Sequence, residues 1–245
     1  MCMKKDCPYF EVNCGGKETD KLNCICPKYK AYLAVKDPQK KQEMLDKLGV
    51  KGTEKMDIML QMQKVFASKF HKIDNLTNAE IDKWTKEYLI CIEDEILEAS
   101  EFLPIYEEVV KEYDEKEYSK ELIDVLHFVM DAMLVAGMDN DILKKKLNIT
   151  DVVEYLSNIE VKGVTKIDSL HYLLRDLRLV RQYINWKHWK RPKDTLDKDA
   201  LYNSYVTMLK HLFICFKVVG MSANDVFETY VNKNIENQYR QHYGY

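Results

Sequence analysis

The sequence predicts an all-α protein, and three observations lead to this prediction. From about Lys51 onward, apolar residues recur at spacings of three and four, which is the pattern of a helix with one buried face. No stretch shows the sustained apolar–polar alternation that a half-buried strand requires. Only 8 glycines and 5 prolines occur among 245 residues, whereas an all-β chain needs turn residues at roughly every 8–12 positions.

The first two predicted helices are defined by an apolar stripe and by a capping motif. The stripe over residues 58–70 predicts the leading helix. Thr77 and Glu80 have the spacing of a capping box, in which the Thr hydroxyl and the Glu carboxylate satisfy the first free amides of a helix. We therefore expect a second helix from this point to about Leu103, where Pro104 prevents its continuation.

The remaining helices follow along the chain. A third strong helix is predicted from about Ser119 to Ala136, and Gly137 marks its end. Further helices are predicted over residues 140–147, 151–159, 167–184 and 198–219, with a last helix that begins at the Ser222 cap and runs to about Arg240.

A faint internal repeat relates two parts of this helical series. Residues 121–141 and 204–224 align with their Gly-Met pairs matched, and the helices before them also correspond. Duplication of a helix pair explains the repeat, and chance similarity between amphipathic helices is the alternative. In the second copy, the positions of Glu95, Glu98, Glu121 and Asp124 become Leu177, Val180, Ser204 and Thr207.

Charge and hydropathy restrict the partners of the chain. With 37 basic and 40 acidic residues, the net charge is −3, so we expect no general surface for nucleic acid. The best apolar run, residues 125–138, is interrupted by His127 and Asp131 and is shorter than the roughly 18 residues of a membrane span. The N-terminal residues have no hydrophobic run of signal-peptide length. We therefore expect a cytoplasmic protein without a membrane partner.

Five of the seven cysteines lie in the first 26 residues: Cys2, Cys7, Cys14, Cys24 and Cys26. Four thiolates can close a tetrahedral Zn²⁺ site, although this spacing matches no standard zinc motif. Free or redox-active thiols and disulfides are the alternatives, and a reducing cytosol disfavours the disulfides. We expect two parts, a Cys-rich segment over residues 1–50 that is a candidate zinc site and an all-α domain over residues 51–245.

Two pairs of carboxylates have a spacing that suggests a metal site. The pairs Glu95/Glu98 and Glu121/Asp124 are each three residues apart and lie among apolar neighbours, so each pair shares one helix face. If the two helices pack together, four carboxylates enter one cleft and need a counter-charge, which a hard cation such as Mg²⁺ supplies. In the alternative interpretation, these carboxylates lie on solvent-exposed helix faces, and their spacing of three residues arises by chance.

Together with several other motifs, the carboxylate pairs make the sequence resemble the all-α dimeric dUTPase family. This family includes the dCTPase–dUTPases of T-even phages and belongs to the MazG-like NTP pyrophosphatases. The motifs are Met62-Gln63, Trp84, C-I-E-D-E-x-x-E from Cys91, E-L-I-D-V-L-H-F from Glu121, and K-x3-N-x2-R-x3-G-Y from Lys233. The phrase Asn185-Trp-Lys-His-Trp-Lys190 also resembles a family element. The resemblance covers about Asp57 to the C terminus.

The resemblance implies a helical bundle that hydrolyses a pyrimidine deoxynucleoside triphosphate, dUTP and/or dCTP, to the monophosphate and pyrophosphate. It also implies Mg²⁺ as the cofactor, a homodimer, and a bacterial or phage-infected host cytosol. The implied metal and catalytic residues are Glu95, Glu98, Glu121 and Asp124, with Glu98 or Glu95 orienting or deprotonating the water. The implied substrate-binding residues are Gln63 for the base, Lys233 and Arg240 for phosphate, and Asn237 for phosphate or sugar.

Three departures from the family pattern affect these expectations. The tryptophan phrase follows both carboxylate pairs instead of lying between them, so Trp186 and Trp189 are core or interface aromatics in the alternative interpretation. Ala67 stands where many relatives have Asn, and the Cys-rich head has no family counterpart. The alternative functions are a relative that acts on another or modified dNTP, and a nucleotide- or protein-binding module on the same fold.

Overall fold

The structure is a computed structural model that describes residues 37–103, 114–187 and 196–242. In these ranges the chain forms nine α-helices and no strand, and 74% of the residues are helical. The all-α prediction is therefore confirmed. The helices are α1 (Pro38–Lys47), α2 (Lys55–Ala67), α3 (Asn78–Ser100), α4 (Glu115–Ala136), α5 (Asn140–Leu147), α6 (Val152–Ser157), α7 (Lys166–Arg181), α8 (Lys198–Val218) and α9 (Ala223–His242).

The chain divides into two compact units. The larger unit comprises Gly52–Tyr230, and the smaller unit comprises Met1–Lys51 together with Val231–Tyr245. Helix α9 therefore begins in the larger unit and ends in the smaller one.

Most helix boundaries follow the signals in the sequence. The Thr77 hydroxyl accepts a hydrogen bond from the Glu80 amide, and the Glu80 carboxylate accepts one from the Thr77 amide, so the capping box is confirmed. Gly137 ends α4 in the left-handed conformation, with φ of 81°, as predicted.

Two differences from the sequence predictions exceed three residues. Helix α4 begins at Glu115 and not near Ser119, because the Asp114 carboxylate caps the amides of Lys116 and Glu117. Helix α1 was not predicted, since it buries no residue and therefore has no apolar stripe. Its signal was the Asp37-Pro38 pair, an N-cap carboxylate followed by proline at the first helical position.

Helix α4 lies at the centre of the larger unit and packs against α2, α3 and α8. Nearly all side chains from Leu122 to Ala136 are buried, including the apolar groups of Val125, Val129 and Met133. Helix α3 packs against α4, and α7 packs against α8. The start of α4 is thus held in a fixed position beside the second half of α3.

The two packed pairs, α3–α4 and α7–α8, have the arrangement that an internal duplication predicts. The second helix of each pair ends at a left-handed glycine, Gly137 with φ of 81° and Gly220 with φ of 78°. Methionine follows in both copies, as Met138 and Met221.

Within the described ranges, no single helix is long and apolar enough to cross a membrane; only α8 and α9 taken together, with a bend between them, have that length and composition.

Candidate active site

Three of the four predicted metal ligands come together where α3 meets α4. Glu95, Glu98 and Glu121 each offer a carboxylate oxygen, and these oxygens all lie within 4.8 Å of one another. The buried side chains of Ile96 and Leu122 anchor the two helices beside the cluster. Glu98 is exposed, whereas Glu95 and Glu121 are half-buried. The cluster therefore opens to solvent on one side.

The fourth predicted ligand, Asp124, lies beside His127 on α4. Its Oδ1 is 3.9 Å from the His127 Nδ1, and its side chain is 14% exposed. The His127 Nδ1–H donates a hydrogen bond to the Ile123 carbonyl oxygen at 2.8 Å. Asp124 is not part of the group whose oxygens all lie within 4.8 Å, and that group consists of three glutamates in the described residues.

The donor set of the cluster fits a hard divalent cation such as Mg²⁺. All three ligand atoms are carboxylate oxygens, and they are presented by two helices that pack against each other. Like charges at this separation repel each other unless a cation or protons neutralise them. The geometry therefore suits an ion of small radius and high charge.

A buried polar contact links α2, α4 and the first half of α9. The Gln63 side chain is 1% exposed, and its Oε1 accepts a hydrogen bond from the Tyr230 hydroxyl at 2.7 Å. The Tyr230 ring stacks on the His127 imidazole with the ring centres 4.2 Å apart. The position of Gln63 is thus fixed by contacts to residues far away in the sequence.

Asp131, which sequence reasoning did not select, is a buried carboxyl beside Gln63. Burial raises the pKa of Asp131 to about 8, and a hydrogen bond from Gln63 opposes this shift. Its Oδ1 has no hydrogen-bond partner among the described residues. In the sequence it was visible only as an acidic residue that interrupts the apolar run over residues 125–138.

Aromatic side chains line the same side of α3, toward its N terminus. The His71 imidazole stacks on Trp84 with ring centres 3.8 Å apart, and its Nε2 lies 2.5 Å from the Tyr88 hydroxyl. The Tyr88 ring lies 6.4 Å from the ring of Phe128 on α4. The Lys83 ammonium lies 4.7 Å from the Trp84 ring centre. This face of α3 therefore has an acidic end at Glu95 and an aromatic end at Trp84.

The other predicted residues lie on α9, just after α7, or outside the described residues. Lys233, Asn237 and Arg240 lie on the part of α9 that belongs to the smaller unit, and the Arg240 guanidinium contacts the Glu236 carboxylate at 2.6 Å. Trp186 packs under the Arg181 guanidinium at 4.0 Å, which agrees with a structural aromatic. Trp189, the cysteines at positions 2 to 26 and the terminal Gly-Tyr pair lie outside the described residues.

The described residues form an all-α protein with a cluster of three glutamates where α3 meets α4. A family model described as dUTPase matches residues 55–245, and the chain belongs to this family in its all-α form. Membership supports a nucleotide pyrophosphohydrolase. No curated protein and no solved structure matches the chain.

Proposed function

We propose that this protein hydrolyses dUTP and/or dCTP to the monophosphate and pyrophosphate in a Mg²⁺-dependent reaction. The observation that supports the proposal is the cluster of Glu95, Glu98 and Glu121, whose oxygens lie within 4.8 Å of one another in a chain of the dUTPase family. A nucleoside triphosphate carries several negative charges, so acidic side chains bind it only through a cation.

Glu95, Glu98 and Glu121 would hold the ion, and Asp124, one turn further along α4, is the proposed fourth ligand. Bound Mg²⁺ would offset the charge of the triphosphate and acidify a water molecule. Glu98 is the most exposed of the three glutamates, so we assign to it, or to Glu95, the orientation or deprotonation of the attacking water.

The remaining substrate contacts are proposed from the family motifs. Lys233 and Arg240 bind phosphate oxygens, since Arg presents a planar fork of donors and Lys a point charge. Asn237 hydrogen bonds phosphate or sugar. Gln63, whose amide has both a donor and an acceptor, reads the pyrimidine. The homodimer, the cytoplasmic location and the structural Zn²⁺ at the N-terminal cysteines are likewise proposals, and analysis for about one Zn per chain tests the last.

A screen for pyrophosphate release tests the proposal. The purified protein is incubated with each dNTP and NTP, with Mg²⁺ or with excess EDTA. We expect release from dUTP, dCTP or both, and none in EDTA. The Glu121→Gln variant should be inactive, whereas Asp141→Asn, which removes an exposed carboxylate at the start of α5, should retain activity. Wild-type protein that releases pyrophosphate from no substrate would contradict the proposal.

A further inference from the structure

A carboxyl on α4, Asp131, lies beside the aromatic end of this face of α3, and the proposed reaction does not yet use it. Asp131 is 4% exposed, and its Oδ1 has no hydrogen-bond partner among the described residues. A buried polar atom without a partner is destabilising, so such an atom in a native fold calls for an explanation. A ligand that supplies the missing partner is one explanation.

The position of Asp131 relative to the carboxylate cluster suits the base of a bound nucleotide. On α3, Tyr88, Cys91 and Glu95 follow one another at spacings of three and four, so they lie on one face. Tyr88 and Cys91 both interact electrostatically with Asp131. At about 1.5 Å per residue, Tyr88 lies roughly 10 Å along the helix from Glu95. A triphosphate at the acidic end whose nucleoside points toward Asp131 would place the base near the aromatic rings of Tyr88 and Phe128.

We propose that Asp131 is a specificity-determining residue, whose Oδ1 contacts the Watson–Crick edge of the pyrimidine base. This inference rests on the proposed function and adds a second base-reading group beside Gln63. The base would reach Asp131 between the partly exposed side chains of Tyr88 and Cys91. Gln63 holds the other carboxyl oxygen through its hydrogen bond, so Oδ1 is left for the ligand.

A carboxyl that keeps its proton suits both pyrimidines. Because the other oxygen accepts the hydrogen bond from Gln63, the proton lies on Oδ1, and Oδ1–H can donate to an acceptor of the base. Cytosine presents N3 as an acceptor and N4–H as a donor, and uracil presents O4 as an acceptor and N3–H as a donor. An ionised carboxylate has no donor, so it would face the acceptor of either base with a lone pair.

The surroundings of Asp131 keep it protonated at neutral pH. Burial raises the pKa of Asp131 to about 8. The titratable groups that face it are Tyr88 and Cys91 on α3, and burial raises the pKa of both, so both are neutral. Helix α2 presents the uncharged Gln63. Among the described residues, two effects act on the pKa of Asp131: burial raises it, and the hydrogen bond from Gln63 lowers it.

The pH dependence of kcat/KM tests this inference, because it reports groups of the free enzyme. Pyrophosphate release from dUTP and dCTP is measured with Mg²⁺ from about pH 6 to about pH 9.5. We expect wild-type kcat/KM to fall about tenfold per pH unit above about pH 8, as Asp131 ionises. The Asp131→Asn variant, whose amide keeps a donor next to Gln63, should lack this decline. The Asp131→Leu variant should raise KM for both pyrimidines at least about tenfold, with a smaller change in kcat.

A matched control separates base reading from a general loss of charge. Asp141→Asn makes the same substitution at an exposed position and should keep the wild-type pH profile. Thermal melting of each variant shows that it is folded. If wild-type protein hydrolyses dUTP or dCTP while Asp131→Asn keeps the alkaline decline, or Asp131→Leu keeps the wild-type KM, the inference is wrong. If wild-type protein hydrolyses no dNTP, the proposed function is wrong as well.

Discussion

Replacing Asp131 by asparagine is expected to change how the free energy of unfolding depends on pH. The pKa of Asp131 is about 8 in the folded chain, against an ordinary value of 3.8 for an exposed Asp. Below about pH 4 the carboxyl is protonated in both states, so its contribution to stability is fully present. As the pH rises, the unfolded chain releases the proton first, and this contribution is lost progressively until the folded pKa of about 8 is reached.

The size of the effect follows from proton linkage. Each pKa unit of difference corresponds to about 1.36 kcal/mol. Between about pH 5 and about pH 7 the folded carboxyl is protonated and the unfolded one is ionised, so this interval spans two such units. Wild-type protein should therefore lose about 2.7 kcal/mol relative to Asp131→Asn over the interval. With a urea m-value of about 2.5 kcal/mol per molar, the difference between the two midpoints should change by about 1 M.

Urea unfolding followed by circular dichroism, without nucleotide or divalent cation, measures this difference. Other titrating groups are the same in both proteins, so they cancel when the two curves are subtracted. Asp141→Asn serves as the control, because its exposed carboxylate should leave the slope unchanged. Parallel curves for wild-type protein and Asp131→Asn would show that Asp131 ionises normally, and the reasoning from its burial would then be refuted.

Three further predictions concern the metal site, the second helix pair and the C-terminal helix. Glu121→Gln should abolish Mg²⁺-dependent turnover while the helical circular dichroism stays unchanged, because the carboxylate serves charge and not packing; wild-type rates would contradict the site. In the wild-type protein, the His211 Nδ1 lies 2.5 Å from the fully buried Asp176 carboxylate. His211→Leu should therefore reduce the free energy of unfolding by about 3–5 kcal/mol, because it leaves this carboxylate without its partner. Adding Asp176→Asn should recover part of that loss in the same denaturation assay, and no recovery would mean that His211 acts through packing alone. Arg240→Ala should lower kcat/KM at least about a hundredfold, or about 2.7 kcal/mol, with little change in Tm, because its ion pair with Glu236 lies within one helix and is partly exposed. A large fall in Tm would show that Arg240 is structural.

The fold was predictable because its signals are local. The Thr77–Glu80 capping box and the Gly137 stop involve residues at most three apart, and both occur in the structure as expected. Helix α1 was missed because it has no buried face, so hydrophobic periodicity could not reveal it.

The acidic cluster could be predicted from the sequence, whereas the buried contacts of Gln63 and Asp131 could not. The convergence of Glu95, Glu98 and Glu121 needs only i,i+3 spacing and the packing of two consecutive helices. The contact between Gln63 and Tyr230 joins residues 167 positions apart, and no local pattern specifies it. Asp131 was missed because its importance lies in its burial, which depends on the packing of α2 and α3 against α4.

This difference in sequence separation has a consequence for biosynthesis. The three glutamates lie between residues 95 and 121, on two consecutive helices. Bringing them together therefore costs little loop-closure entropy. The Gln63–Tyr230 contact forms only after a further 94 residues beyond Ala136 have been synthesised, as far as Tyr230. A nascent chain that has emerged as far as Ala136 already contains the three glutamates proposed to bind a cation, but it does not yet contain the tyrosine that hydrogen bonds Gln63. The order of translation thus places the residues proposed to bind a cation before the contact that holds the residue proposed to read the base.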